Sequence, residues 1–247
     1  MKRLAIGLVA AAFVATAVAG CSDDHKTKLT VFAASSLTGV FTTLESKFEA
    51  DHSDVDVVLS FGSSTTLAEQ INQGAPADVI ATADEKSVSL VADAGQLAAA
   101  PTEFATNTLV IAVPVGNPGD VGGVDSLNTV PFVACDPSAP CGAAAATMLA
   151  NAGVTAQPKT FEPDVATTLA TVETGEIDAG IVYVTDATGA ADTVDAITIP
   201  ADVNVTNPYY IAPVKDSDES TLADEWVALV TGSTGQDTLQ DAGFGTP

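Results

Sequence analysis

The sequence predicts an α/β protein with largely parallel sheets and helices covering both faces. Three observations carry that expectation. From Leu29 onward, short β-rich runs alternate with amphipathic helical patterns. Several of the strands end in small-residue turns that lead straight into a helix start, the signature of strand–helix–strand crossovers. The composition, 47% apolar and 16% charged over 247 residues with a mean hydropathy of +0.30, supplies a substantial core. It excludes a disordered tail protein and a collagen-like or coiled-coil fibre, and allows one large domain or two modest ones.

The elements follow in order. Leu29 to Ala34 is the first strand, ending at Ser35 and Ser36, and Leu37, Val40, Phe41, Leu44 and Phe48 form the apolar stripe of a helix. Val55 to Phe61 is a strand broken by Gly62, Ser63 and Ser64; the next helix turns Leu67, Ala68 and Ile71 inward and stops at Gly74. Asp78 to Ala81 is a short strand, and Asp84 to Ala94 a helix closed by Gly95. Thr108 to Val113 is a strand running into Pro114, followed by a Gly/Pro-rich loop over 114–123. Phe132 to Ala134 precedes Pro140-Cys141-Gly142, which opens an Ala-rich helix ending near Gly153. Val165 to Thr174 is helical, while Ala179 to Val184 and Tyr209 to Val214 are strands. Leu222, Trp226, Leu229 and Val230 mark the last long helix, with a short one around Leu239. No internal repeat is evident.

Charge and the N-terminus narrow the function. Eight Lys and Arg face 32 Asp and Glu, a net charge of −24, which repels nucleic-acid phosphates and anionic membrane surfaces. Nucleic-acid binding is excluded. Lys2 and Arg3 precede an apolar run from Leu4 to Val18, and Val18-Ala19-Gly20-Cys21 resembles the bacterial lipobox. The expectation is a signal peptide over 1–20, lipidation of Cys21 and a polar tether over 21–28. The run is short for a membrane span of about 20 residues. Acyl chains would hold the chain on the outer face of the cell membrane. Loss of Lys2 and Arg3 leaves 6 basic against 32 acidic residues, a net charge of −26. Cys135 and Cys141, six positions apart in an oxidising compartment, favour a disulfide over a pair of free or buried thiols.

The small-residue turns carry the chemistry. Ser35-Ser36, Ser63-Ser64, Pro140-Cys141-Gly142 and Pro163-Asp164-Val165 each precede or open a helix. In parallel α/β sheets such turns lie at the carboxyl ends of the strands, where ligands bind. Each offers unpaired backbone N–H groups and the positive end of a helix dipole, so their convergence makes an anion site without Lys or Arg.

At these turns the chain resembles the periplasmic molybdate-binding proteins of ABC transporters. The matching pieces run in order: Val31-Phe32-Ala33-Ala34-Ser35-Ser36-Leu37-Thr38, Phe61-Gly62-Ser63-Ser64-Thr65-Thr66-Leu67-Ala68, Gly74-Ala75-Pro76-Ala77-Asp78-Val79, Asn107-Thr108-Leu109-Val110-Ile111 and Gly175-Glu176-Ile177-Asp178-Ala179-Gly180-Ile181-Val182-Tyr183. With Asp136-Pro137 and Gly243-Phe244 they cover nearly all of 29–245. The resemblance implies a two-lobed, type II periplasmic-binding-protein-like fold with the ligand cleft between lobes: 29–111 plus 207–247 as lobe I, and 112–206 as lobe II. It implies that Ser36 and Ser64 each donate an N–H and a hydroxyl to the anion, Cys141 and Val165 an N–H, and Tyr183 its phenolic O–H. Cys141 stands where the family commonly has Ala. The ligand implied is molybdate, with tungstate beside it; the partner is an ABC permease, with no cofactor and a monomeric chain. A donor-only site also rejects protonated oxyanions, whose O–H finds no acceptor.

Other readings of the same residues stand beside this one. Ser36 and Ser64 are also natural N-caps, and Tyr183 an ordinary sheet aromatic. A receptor for another oxyanion such as sulfate, an acidic cell-surface adhesion protein and a serine hydrolase are the alternatives. The hydrolase lacks a base, since His25 lies in the tether and His52 in the turn at the other end of the strand from Ser63 and Ser64. No His, Cys and carboxylate cluster has metal-ligand spacing, so no cation site and no enzyme is expected.

Overall fold

The computed structural model describes residues 26–247; the expected signal peptide, Cys21, His25 and most of the tether lie outside the described residues. In chain order the elements are β1 (Thr27–Ala34), α1 (Thr38–Asp51), β2 (Val55–Gly62), α2 (Ser64–Asn72), β3 (Val79–Thr82), α3 (Glu85–Asp93) and β4 (Thr102–Pro114). Then come β5 (Phe132–Cys135), α4 (Pro140–Asn151), β6 (Phe161–Glu162), α5 (Val165–Glu173), β7 (Ala179–Tyr183) and α6 (Val184–Gly189). The chain closes with β8 (Val194–Thr198), β9 (Thr206–Pro213), α7 (Ser220–Thr231) and α8 (Ser233–Asp241).

The strands join in the order β2-β1-β3-β9-β4-β7-β5-β6, with β8 added to β4. The sheet is mixed rather than largely parallel, and the departure is local. The pairs β1–β2, β1–β3, β5–β6 and β5–β7 are parallel, whereas each pair that includes β4 or β9 is antiparallel. These two strands are the long connections. Thr102 to Thr108 of β4 pairs with β9, and from Leu109 the same strand pairs with β7 and, from Val110, with β8. Strand β4 begins at Thr102, six residues before the expected start, and Val184 opens α6 instead of ending a strand.

The buried side chains follow that division. One core gathers Leu29 to Ala105 with Tyr209 to Phe244, centred on Phe41, Phe104, Tyr209 and Trp226; a smaller cluster around Phe32, Ile80 and Val91 covers the opposite face of that half of the sheet. The other core runs from Leu109 to Ile199 and includes Phe132, Met148 and Tyr183. Trp226 is fully buried and meets the rings of Phe41 and Phe48 edge-on, at centroid distances of 5.6 and 5.5 Å. Such contacts add about 0.5–1.5 kcal/mol each beyond area burial.

Candidate functional site

Parallel strands deliver their carboxyl ends to one side of the sheet, and the helix starts that follow them meet there. Ser36 sits in a single 3₁₀ turn, Ser35–Leu37, after β1. Ser64 is the first residue of α2, Cys141 the second of α4 and Val165 the first of α5. Tyr183 ends β7 and precedes α6. All five line one cavity, together with Ser35, Ser63, Ala83, Pro140 and Asp164. The first two reach it from the core containing β1, the last three from the core containing β7.

The cavity measures about 10 Å³ as space open to the centre of a water-sized sphere, about what a single water molecule needs. Two hydrogen bonds join its walls. The Ala166 N–H donates to Ser35 Oγ at 3.4 Å, and Thr65 Oγ1 donates to the Ser138 carbonyl at 2.8 Å. A larger groove of about 800 Å³, bordered by α1, α5, α6 and α8, opens beside it and shares Ser35 and Ser36.

The capping role read for Ser36 and Ser64 is not what the structure shows. Neither the 3₁₀ turn, α1 nor α2 receives a side-chain cap, and the residue preceding α2 is Ser63. Instead Ser64 Oγ accepts the Ala83 N–H at 3.0 Å, and Ser36 Oγ lies 2.8 Å from Tyr209 Oη. The uncapped N–H groups at the starts of α2 and α4 therefore keep their hydrogens for the cavity, and helix geometry gives the Val165 N–H no intrahelical acceptor. Asp164 does cap α5, accepting the Thr167 N–H at 2.9 Å and the Thr167 hydroxyl at 3.1 Å. Both bonds go to Oδ1 of Asp164, the one acidic residue in the lining among the described residues.

Among the described residues no Lys, Arg or His lines the cavity. Its positive potential comes from helix N-termini and hydroxyl hydrogens. Tyr183 Oη is buried beside the Tyr209 hydroxyl and, among the described residues, has no hydrogen-bond partner in good geometry. Burial, then the neighbouring Tyr209 and Asp186, push its phenol well above the usual range, so it keeps its proton and remains a donor. A buried hydroxyl without a well-placed partner is costly, and Tyr183 is part of the cavity lining.

Asp186 holds Tyr183 from behind: its Oδ2 accepts the Tyr183 N–H at 3.0 Å. Burial raises the Asp186 carboxyl to about 7, with Asp164 adding to the rise and the bond from Tyr183 opposing it. Unfolded, the group titrates near 3.9. Between about pH 4 and about 7 the folded chain holds a proton there that the unfolded chain has released, so this group's contribution to stability falls as pH rises. Asp186→Asn keeps a carbonyl acceptor and removes the titration. Its melting temperature relative to wild type is expected to climb across that window; parallel profiles would refute the assignment.

Cys135 and Cys141 form a disulfide with Cα atoms 5.7 Å apart, tying the end of β5 to the first turn of α4. His52 stacks on Phe48 at 4.2 Å, its Nδ1 is 2.9 Å from the Phe48 carbonyl oxygen, and its Nε2 is 3.0 Å from Glu225 Oε2. It is absent from the cavity lining. Among the described residues no group of His, Cys, Asp or Glu is arranged to hold a metal ion, and no helix is long and apolar enough to cross a membrane. Sequence reasoning missed Ser35, Ala83 and Tyr209. Only Ser35, beside Ser36 in the same turn, carried a signal; the other two act through tertiary contacts.

The chain is similar to known proteins in sequence and in fold. The family of bacterial extracellular solute-binding proteins matches residues 29–245. The molybdate-binding protein ModA of Mycobacterium tuberculosis (strain ATCC 25618 / H37Rv) is 39% identical over 256 aligned positions, spanning 99% of this chain and 98% of that one. The periplasmic molybdate-binding protein of Azotobacter vinelandii superposes with a TM-score of 0.79 at 22% identity, covering 89% of this chain and 99% of that chain. The sulfate-binding protein SubI from M. tuberculosis H37Rv gives 0.79 at 18% identity, over 88% and 86%. The folds are shared at these identities, and the near-full-length sequence match assigns the family: the chain belongs to the bacterial extracellular solute-binding proteins.

Proposed function

We propose that this chain is the extracytoplasmic receptor of an ABC transporter for molybdate, and for tungstate beside it. The observation that carries the reading is the cavity: five hydroxyl-bearing residues and several helix N-termini converge on one compact space with no Lys, Arg or His among the described residues that line it. A buried dianion is tolerated only when its oxygens are saturated with donors. Hydrogen bonds to a charged acceptor contribute about 1.5–3 kcal/mol each, so neutral donors suffice. The ligand needs no cofactor, and the family consists of solute receptors, not enzymes.

Sulfate is the competing ligand, and the fold does not separate the two, since both solved neighbours superpose with a TM-score of 0.79. The 39% identity to a molybdate-binding protein favours molybdate. Residues 29–111 with 207–247 act as one lobe and 112–206 as the other. Strands β4 and β9 cross between the lobes near Thr108 and Thr206, and closure across the Ser35–Ala166 and Thr65–Ser138 bonds presents the loaded form to the permease.

The described residues contain both cores and the whole cavity, so a chain from Ser22 to Pro247 keeps the receptor intact. Calorimetric titration of that chain is expected to show tight one-to-one binding of molybdate and tungstate, with sulfate weak and phosphate silent. Equal binding of sulfate would make the protein a general oxyanion receptor. Silence with all four from folded protein would refute the transport reading and favour adhesion.

The chain is monomeric in this reading and held to the membrane through Cys21, with the acidic surface keeping it soluble. Cys21→Ser is expected to move the protein from the membrane fraction to the soluble fraction and to abolish incorporation of labelled fatty acid. An unchanged membrane fraction would refute the anchor.

A further inference from the structure

Ser64 takes its orientation from a backbone group, and that group is itself held from behind. The Ala83 N–H donates to Ser64 Oγ at 3.0 Å, a direction fixed because an amide N–H only donates. Ala83 directly follows β3, and its carbonyl oxygen accepts the Asn207 side-chain N–H, from Nδ2, at 3.1 Å. That direction is fixed too, since a carbonyl only accepts and Asn207 Oδ1 has no hydrogen to give it. Asn207, Ala83 and Ser64 are 5%, 3% and 1% exposed, so bulk water does not compete for either bond. Asn207 lies in β9 opposite Asn107 of β4, where the two strands cross between the lobes, and it is absent from the cavity lining. Its place in the core carries a cost. Among the described residues Asn207 Oδ1 has no hydrogen-bond partner, and a buried acceptor left unpaired destabilises the fold. Leucine, of nearly the same size, would fill the site without that cost. What asparagine adds is the donor that holds Ala83.

We propose that Asn207 is a positioning residue for the bound anion: from the strand crossing it holds Ala83 in place, and Ala83 in turn fixes the Ser64 hydroxyl in the cavity. The proposal rests on the oxyanion-receptor reading above. A serine hydroxyl has one hydrogen and two lone pairs. With a lone pair of Ser64 engaged by the Ala83 N–H, its hydrogen is bonded to no acceptor among the described residues and is left for the ligand. The turn from β3 to α3 consists of Ala83 and Asp84. Asp84 has its own restraints: its side chain accepts the Ser87 N–H at 2.9 Å, and its carbonyl accepts the Thr82 hydroxyl at 2.8 Å. The Ala83 carbonyl has the Asn207 amide. Without that amide the buried carbonyl must turn toward another donor, and the residue whose N–H orients Ser64 turns with it.

The test is a double-mutant cycle read by calorimetric titration with molybdate: wild type, Asn207→Leu, Ser64→Ala and the double variant. Asn207→Leu keeps the volume and removes the donor. It replaces one unpaired buried acceptor, Asn207 Oδ1, by another, the Ala83 carbonyl, so the melting temperature of the empty protein is expected to stay within a few degrees of wild type. Molybdate Kd is expected to rise by about fivefold or more in Asn207→Leu. The same replacement made in Ser64→Ala is expected to change Kd by no more than about twofold, because the hydroxyl it positions is already gone. A role in packing alone predicts the same factor of loss in both backgrounds. Equal factors, or wild-type affinity in Asn207→Leu, would overturn the proposal. Asn207→Ser draws the side chain back from the Ala83 carbonyl and should show the same dependence on Ser64, so the outcome does not hang on one replacement folding. Wild-type protein that binds no molybdate would refute the receptor reading itself, and this proposal with it.

Discussion

Ser64→Ala is expected to weaken molybdate binding by about 10- to 150-fold and to lower the melting temperature of the empty protein as well. The affinity loss is one hydrogen bond to a charged acceptor, about 1.5–3 kcal/mol. The stability loss has a different source. Ser64 Oγ is the partner of the Ala83 N–H, and with both residues buried, removing the oxygen strands that donor. The cost is about 1–3 kcal/mol, or several degrees for a chain of this size. Tyr183→Phe provides the contrast. Among the described residues the Tyr183 hydroxyl has no partner in good geometry, so its loss should reduce affinity over a similar range while leaving the empty protein as stable or slightly more so. Calorimetry for Kd and thermal unfolding without ligand separate the two variants. Wild-type affinity in Ser64→Ala, or equal destabilisation of both variants, would contradict the arrangement described.

The helices and the parallel strands were legible because their signals are local. The three- and four-residue spacing of Leu37, Val40, Phe41, Leu44 and Phe48 is the buried face of α1, apart from Leu37 in the turn just before it. What escaped was polar or short. Thr106 and Asn107 lie before the apolar run that reads as a strand, yet they continue β4 across the molecule, opposite Pro208 and Asn207. Asn107 is buried there because its Nδ2 donates to Thr185 Oγ1 at 2.8 Å, a partner 78 positions away that no periodicity reveals. Strand β6 has two residues, and α6 has six with a polar sequence, too few for a pattern.

The cavity was legible to an unequal degree. Turns of small residues before helices mark where N–H donors collect, and Ser36, Ser64, Cys141 and Val165 are all found there. The roles of the hydroxyls were not legible in the same way. Serine before a helix reads as a cap, but the uncapped helix starts show that both oxygens are taken by groups from β9 and the turn after β3. A side chain's local propensity states what it could bond to, and the tertiary neighbours decide what it does bond to.

Gly142→Ala is expected to have the larger effect on binding, although Gly142 offers the ligand no side chain at all. It is the third residue of α4, and a Cβ there would overlap the Asp136 carbonyl oxygen and lie 2.7 Å from that of Cys135. Neither obstacle can swing aside, because both are backbone. The Asp136 N–H donates to the Glu162 carbonyl at 2.7 Å, its own carbonyl accepts the Ala139 N–H at 2.9 Å, and the Cys135–Cys141 disulfide closes the same loop. The first turn of α4 must therefore move away from β5, taking the Cys141 N–H and the end of the helix dipole out of the cavity. Overpacking of this kind costs about 1–3 kcal/mol in stability and upward. With two sources of anion stabilisation displaced together, affinity should fall more than about a hundredfold. Gly235→Ala distinguishes displacement from general damage. A Cβ at Gly235 would overlap the Val230 carbonyl oxygen where α7 meets α8, and Gly235 does not line the cavity. It should lower the melting temperature and leave Kd within a few-fold of wild type. If both glycine variants lose affinity in proportion to lost stability, the fit of α4 against β5 is not what aims its N-terminus at the anion.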